Sequence, residues 1–469
     1  MNRNNTSLLR RRLLQAAGAA ALALRSKLSL GQSPSTAEPP RLALLIGNRE
    51  YPDGEDLPPI HKNVRDLKRA LEARGFKVSQ GLDLDLPQAS AAMATFAAEV
   101  RAAPADSTVF FYFSGHGAQV DAENLLVSAR LSPKAVPDNL VRGSLTLTKG
   151  VVGQLPLRPL GLTIAVIDAC RTSLRDVAVG QGLNQVEAPP GCLIAFATGA
   201  GRPAIAPADD TRNTFYTDSL VRLLDSSSGE ITFSDLFRLV KTDVHNVMIN
   251  HPVPLLRRFA QVSFIAENTQ VRRRLAPQVP VAADASATAA APARFASRDE
   301  AADWLQLETT VWPGDVSRLA VEYLRNHPGT RLAGSAQVAR DGALEALDTL
   351  RRREVSLSRS AFQPTVASAD GYGAPTPTEP STDLLKCGRG DKDAAARVAR
   401  THGRNSGRWD RGRYEGWLQY AAALGNGIAS YELALHYRRE NQPVLAAQSE
   451  ARARALGYTP PPSLDNTRK

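Results

Sequence analysis

The sequence predicts an α/β protein, with a mostly parallel sheet flanked by helices on both faces and small α-helical regions after it. Three observations lead there. Between Arg41 and about Asn268, short apolar runs alternate with stretches of helical periodicity, the pattern of crossover units in a parallel sheet. The runs are apolar on both faces, as in strands covered on both sides. Beyond Asn268 the strand pattern stops, and helical periodicity returns only after breaks rich in Ala and Pro.

The elements follow in order. "RLALLIG" (Arg41–Gly47) is a short buried strand. "KNVRDLKRALEARGF" (Lys62–Phe76) sets Val64, Leu67 and Leu71 at helical spacing and ends at Gly75, a helix stop. "FKVSQGLD" reads as a strand and "LPQASAAMATFAAEVRAA" as a helix. "STVFFYFSGHG" (Ser107–Gly117) is a strand running into a glycine-flanked histidine. "NLLVS" is short and extended, and "SLTLTKGVVGQL" is expected to be helical despite its threonines. "GLTIAVIDAC" and "CLIAFAT" (Cys192–Thr198) are strands, and two helices follow around Phe215–Leu224 and Phe233–Val247.

A length of 469 residues corresponds to about three domains. Residues 40–268 are expected to form the α/β domain, 269–296 a linker, 297–365 a helical region, 366–384 a second linker, and 385–460 a further helical region. Trp304, Leu307, Leu319, Tyr323 and Leu324 suit a small antiparallel helix group. The last region has small residues at Ala421–Ala423, Gly425 and Ala429, where helices approach closely. It resembles one Sel-like or tetratricopeptide-like repeat. A single repeat cannot bury a continuous core, so it is expected to pack on the preceding helices or on a partner protein.

Residues 1–37 resemble a twin-arginine signal peptide. Arg10, Arg11 and Arg12 precede Leu13 and Leu14, and an apolar run follows from Ala16 to Leu24. That implies export to the periplasm or outside of a bacterial cell. The run is too short to span a bilayer, and no later segment has the length and apolarity of a span, so no stable membrane span is expected. The net charge of +10 comes without a dense basic run interleaved with aromatics, which argues against nucleic-acid binding. Three cysteines, Cys170, Cys192 and Cys387, make no disulfide framework and have no zinc-ligand spacing. His61, His245 and His251 form no ligand cluster, so no metal site is expected.

Two strands end in reactive groups. "FFYFSGHG" delivers His116 and "AVIDAC" delivers Cys170, 54 residues later. Carboxyl ends of neighbouring parallel strands share one rim, where ligands bind. An imidazole there can take a thiol proton or stabilise the thiolate, which is the nucleophile. "YFSGHG", "IDACR", "LALLIGNREY", "ALEARGFKV" and "LIAFAT", in this order, resemble the caspase-like cysteine peptidases, especially the bacterial metacaspase-type members. The resemblance covers roughly Arg41 to Phe264, and the His-to-Cys spacing is close to the roughly 50 residues of caspases.

The resemblance implies a cysteine endopeptidase acting on proteins or peptides. Cys170 would attack the carbonyl, His116 would serve the leaving amine and later the water, and the backbone N–H groups of Gly117 and Cys170 would hold the oxyanion. No third orienting residue is evident in the sequence. Caspases that cleave after aspartate carry Gln two residues before the cysteine; here that place holds Asp168. A carboxylate there favours a basic side chain, hence cleavage after Arg or Lys. Ser114 matches a pocket-lining position. Asn63 stands where metacaspase-type sequences place a second pocket acid, and Asp66 is expected to face elsewhere. Arg171 and Arg175, in a polar, glycine-bearing segment, are candidates for self-cleavage. Cys192 is expected to be a small core residue. No cofactor is required, and the calcium activation known in parts of the family has no identifiable site. The rival reading is an inactive caspase-like scaffold whose C-terminal helices bind partner proteins.

Overall fold

Arg41–Gly47 forms strand β1 in the computed structural model, buried along nearly its whole length. The structure describes residues 39–120, 123–169, 172–173, 185–199, 207–275, 296–366, 376–407 and 409–459. Residues 1–39 are a unit of their own, of which only Pro39 is described; the expected signal segment, residues 1–37, lies outside the described residues.

Helix α1 (Ile60–Ala73) buries Ile60, Val64, Leu67 and Leu71. It ends before Gly75, whose φ of 79° suits a residue without Cβ. Strand β2 (Lys77–Leu82) leads to α2 (Leu86–Ala102), opened by a reciprocal Asp85–Gln88 capping box. Strand β3 (Thr108–Gly115) is buried throughout. Strands β4 (Gly117–Val120) and β5 (Glu123–Val127), a short helix α3 (Pro137–Gly143) and β6 (Ser144–Thr146) follow. The stretch expected to be helical from Ser144 therefore begins as a strand paired with β5, and only a wide π turn (Leu147–Val151) and a tight 3-10 turn (Val152–Gln154) follow. Its alternating Leu and Thr fit a pleat with a waiting partner better than a helix.

Strand β7 (Leu162–Ala169), β8 (Thr172–Ser173), β9 (Cys192–Phe196), α4 (Phe215–Ser226), α5 (Phe233–Ile249), α6 (Pro254–Arg258) and β10 (Phe264–Asn268) complete the domain. The main sheet has the order β10-β9-β7-β3-β1-β2. All its pairs are parallel except β10 with β9. One face packs under α1, α4 and α5, the other under α2 and the turns after β6. The order reverses between β1 and β3, so the segments that leave these two strands part around a crevice.

The chain does not leave the domain at Asn268. Arg274 bridges to Thr232, and Leu275 is fully buried in the core under α5. Thr269 to Leu275, expected to open a linker, thus belongs to the domain. Helices α7 (Arg298–Thr309), α8 (Pro313–Asn326) and α9 (Ala333–Leu350) come next. The expected second linker contains the paired strands β11 (Thr365–Val366) and β12 (Thr376–Pro377) and the start of α10 (Thr382–Cys387). Helices α11 (Lys392–Thr401), α12 (Arg411–Ala423), α13 (Gly427–Arg439) and α14 (Pro443–Ala455) end the described chain.

The last helical region packs on the preceding helices, and the two share one core that joins Val311, Ala346 and Phe362 to Trp417, Tyr420 and Leu433. This region also closes the sheet. Lys392 Nζ donates to Ile265 O (2.7 Å), Glu267 N donates to Asp393 Oδ2 (2.9 Å), and Arg397 donates to Glu267 O (2.8 Å). Side chains of α11 thereby satisfy backbone groups of edge strand β10 that a further strand would otherwise pair with. Among the described residues no helix is long and apolar enough to cross a membrane.

Candidate active site

The register of β3 and β7 pairs Ser114 with Asp168 and Gly115 with Ala169. The two strands end level, and the next residues in sequence are His116 and Cys170. Cys170, Arg171 and Arg175 lie outside the described residues. The chain resumes at Thr172, where β8 runs parallel to Ala118 and Gln119 of β4.

The segment after β1 receives His116. Its Nε2 lies 2.8 Å from the carbonyl oxygen of Glu55, and its backbone N–H donates to Tyr51 Oη (3.1 Å). The Tyr51 hydroxyl in turn donates to Val127 O (3.0 Å), and its ring meets the imidazole edge-on at 4.6 Å. A carbonyl only accepts, so Nε2 carries the proton and Nδ1 holds the lone pair of the neutral ring. Burial lowers the His116 pKa from its ordinary value, partly offset by the Glu55 carbonyl. A Cβ on Gly115 would stand 2.6 Å from Tyr51 Oη, so glycine is what allows this contact. Gly117 opens β4 opposite Leu126, and Val127 N donates to His116 O (3.0 Å), which fixes the peptide between His116 and Gly117.

Asp168, Ser114 and Asn63 converge one layer below. Asp168 is only 3% exposed. Its Oδ2 accepts from Thr214 Oγ1 (2.5 Å), Thr217 Oγ1 (2.6 Å) and, at 3.4 Å, Tyr112 Oη. Thr214 caps the N-terminus of α4, where the helix dipole favours a negative charge. All three donors meet one oxygen; among the described residues no donor reaches Oδ1. Burial raises the Asp168 pKa, with the hydroxyls opposing it. Asn63, fully buried, donates to Ser114 Oγ and Thr214 Oγ1 (both 3.2 Å) and accepts from Thr214 N (3.0 Å). Asp66 accepts from Lys62 and Asn213 and stands outside this cluster.

Residues 40–273 match the family model of the peptidase C14 caspase domain. This part of the chain is similar to the caspase domains of that family. Caspase-1 from Spodoptera frugiperda, in its crystal structure, is similar at 15% identity and a TM-score of 0.39, over 54% of this chain and 99% of that one. No curated protein matches. The C14 family is one of cysteine peptidases, whose substrates are proteins or peptides.

Within the caspase domain, Tyr51, Glu55, Thr214 and Thr217 are site residues that the sequence reading missed. Tyr51 sits in the quoted motif "LALLIGNREY", and its place after the first strand, at the sheet's reversal point, was the available signal. Cys192 is a buried core thiol on β9, its pKa pushed up to about 11 by burial. Cys387, in the helical region, is buried with its pKa raised. Neither environment favours a thiolate. Among the described residues no group of acids, histidines or cysteines could hold a metal ion.

Proposed function

We propose that the protein is a metacaspase-type cysteine endopeptidase that uses His116 and Cys170 to cleave after Arg or Lys. The observation that carries this reading is the level ending of β3 and β7, with His116 held through Nε2 by the Glu55 carbonyl. The Cys170 proton passes to His116 Nδ1, and the thiolate attacks the substrate carbonyl while Gly117 and Cys170 N–H groups stabilise the oxyanion. The C–N bond breaks as Nδ1–H protonates the amine, leaving an acyl-thioester. Water then attacks, giving its proton to Nδ1; the C–S bond breaks and the carboxylic acid leaves.

Selectivity comes from Asp168. Its Oδ2 is occupied by hydroxyls and its Oδ1 is left for a substrate guanidinium or ammonium. Ser114 and Asn63 support the wall of this pocket. Arg171 and Arg175 are candidate self-cleavage sites, and residues 1–37 direct export by the twin-arginine route. The test is labelling with an arginyl fluoromethylketone, alongside peptides bearing Arg, Lys or Asp before the scissile bond. Labelling of wild type that disappears in Cys170→Ala supports the reading. Folded wild type that neither labels nor cleaves any peptide supports an inactive scaffold instead.

A further inference from the structure

The loop that orients His116 is itself tied at both stems to one carboxylate. It leaves β1 at Gly47, carries Tyr51 and Glu55, and enters α1 at Ile60. Strand β2 runs parallel beside β1 with Leu82 opposite Gly47, so Asp83, the next residue, comes level with the outgoing stem. Asp83 Oδ1 accepts from the backbone N–H groups of Arg49 (2.6 Å) and Glu50 (3.0 Å) on that stem. Asp83 Oδ2 stands 2.6 Å from His61 Nε2, in the first turn of α1 on the returning stem. The Asp83 backbone N–H donates to Gly47 O (2.9 Å). Hydrogen bonds to a carboxylate are stronger than those between neutral groups. Within the loop, Tyr51 N donates to Asp56 Oδ1 (2.7 Å) and Leu57 N to Arg49 O (2.9 Å), so the turn bearing Glu55 follows its stems.

The backbone around this loop is held in a conformation that side chains rarely adopt. Among the described residues, four that are not glycine have positive φ. Three of them gather here: Asp53 (63°) in the loop's tight turn, Asp83 (51°), and Arg130 (66°), whose N–H donates to Glu50 O (3.4 Å). Such residues persist where surrounding contacts over-determine them, and they cluster at active sites. Glycine would take the Asp83 conformation at less cost, but it supplies no carboxylate. We propose that Asp83 is a positioning residue for His116: its carboxylate clamps both stems and so fixes the Glu55 carbonyl that holds Nε2. Its effect on catalysis rests on the peptidase reading above. A misplacement of about 1 Å in a reacting group can cost on the order of a hundredfold in rate, and Asp83 guards against that from outside the site.

Two readouts on the full-length chain test it. In a Cys170→Ala background, which removes self-cleavage, Asp83→Gly is expected to speed solvent exchange of the His116 Nε2 proton about tenfold, the size of one net hydrogen bond. NMR of histidine-labelled protein reads this, with His116→Gln to assign the signal. The thermal midpoint is expected to stay within a few degrees, because glycine suits the backbone at this position. In the active chain, Asp83→Gly is expected to lower kcat on an arginyl peptide roughly ten- to a hundredfold while KM stays within about twofold, since binding is not its role. Asp83→Asn keeps the backbone tolerance and one acceptor oxygen but loses the charge, so about a threefold change is expected in both readouts. It carries the test if Asp83→Gly does not fold. Nε2 exchange unchanged in the folded variants, or a rise in KM with kcat intact, would overturn the proposal. If wild type neither labels nor turns over, the peptidase reading fails, and the exchange comparison still decides whether Asp83 holds His116.

Discussion

The Glu55 carbonyl oxygen accepts the Nε2 proton of His116 at 2.8 Å. A main-chain carbonyl thus orients the imidazole, and burial keeps the ring neutral. The lowered pKa has a definite sign. Between the folded value and the ordinary 6.5, the unfolded chain binds more protons, so this group's contribution to stability is lost as pH falls through that window. The acid limb of kcat is expected below pH 6.5 for the same reason. A limb centred above 6.5 would count against His116 as the proton carrier.

Tyr51 holds the same histidine by its backbone. Tyr51→Phe leaves His116 N–H and Val127 C=O without their hydroxyl partner, at a cost of about 1–3 kcal/mol. The expected outcome is a lower denaturation midpoint together with a fall in kcat, read by chemical unfolding and peptide turnover.

Asp168→Asn removes the charge and keeps an acceptor for Thr214 and Thr217. Preference for Arg over a neutral residue is expected to fall on the order of a hundredfold, the scale of losing a charge-assisted bidentate pair. The raised pKa means that the stability Asp168 contributes is full below the unfolded value of 3.8 and lost as pH rises through the folded value. The variant should therefore be no less stable than wild type at neutral pH, as thermal scans at acid and neutral pH would reveal. Asn63→Asp places a second acid beside Ser114 and Thr214, and a rise in Arg selectivity is expected. No rise in a substrate panel would refute the pocket assignment.

Glu267 joins the caspase domain to the helical region. It accepts from Arg238 (2.9 Å) and Lys386 (2.8 Å) while nearly fully buried. Burial alone would raise its pKa, but the two cations hold it well below the usual carboxylate range. Its stabilisation is present above the unfolded value of 4.5 and is lost as pH falls. Glu267→Gln removes the buried carboxylate that Arg238 and Lys386 share, although Arg238 keeps Asp391 and Lys386 keeps Thr269, and is expected to cost about 3 kcal/mol, measured by denaturant unfolding.

Lys392→Ala with Arg397→Ala uncovers the Ile265 and Glu267 carbonyls on the sheet edge. Self-association is expected in light scattering, because a bare edge recruits strands. A strictly monomeric double variant would show that this edge needs no cover.

Much of this was legible in the sequence, for physical reasons. Strands buried on both faces declare themselves by apolar runs, and level strand ends explain why His116, Ser114 and Asp168 could be named together. The partners were less legible. Glu55 acts through a carbonyl that every residue possesses, and Thr214 meets Asn63 across 151 positions of chain. No local pattern marks such contacts. The domain boundary slipped because Thr269 to Leu275 is polar and arginine-rich apart from Val271 and Leu275, and of those two only Leu275 enters the hydrophobic core. The helical regions looked like appendages because the residues that bind them to the sheet, Lys392, Asp393 and Arg397, read as ordinary surface charge.

The cover over β10 also imposes an order on biosynthesis. Lys392 follows its partner Ile265 by 127 residues. At about 5–20 residues per second, it is synthesised roughly 6 to 25 s after the strand it protects. During that interval a nascent caspase domain can complete its sheet yet must present an open edge to neighbouring chains on the same message. Crowded translation is thus the stage at which this protein is most vulnerable to mispairing, and ribosome-bound chaperones have most to do before α11 arrives.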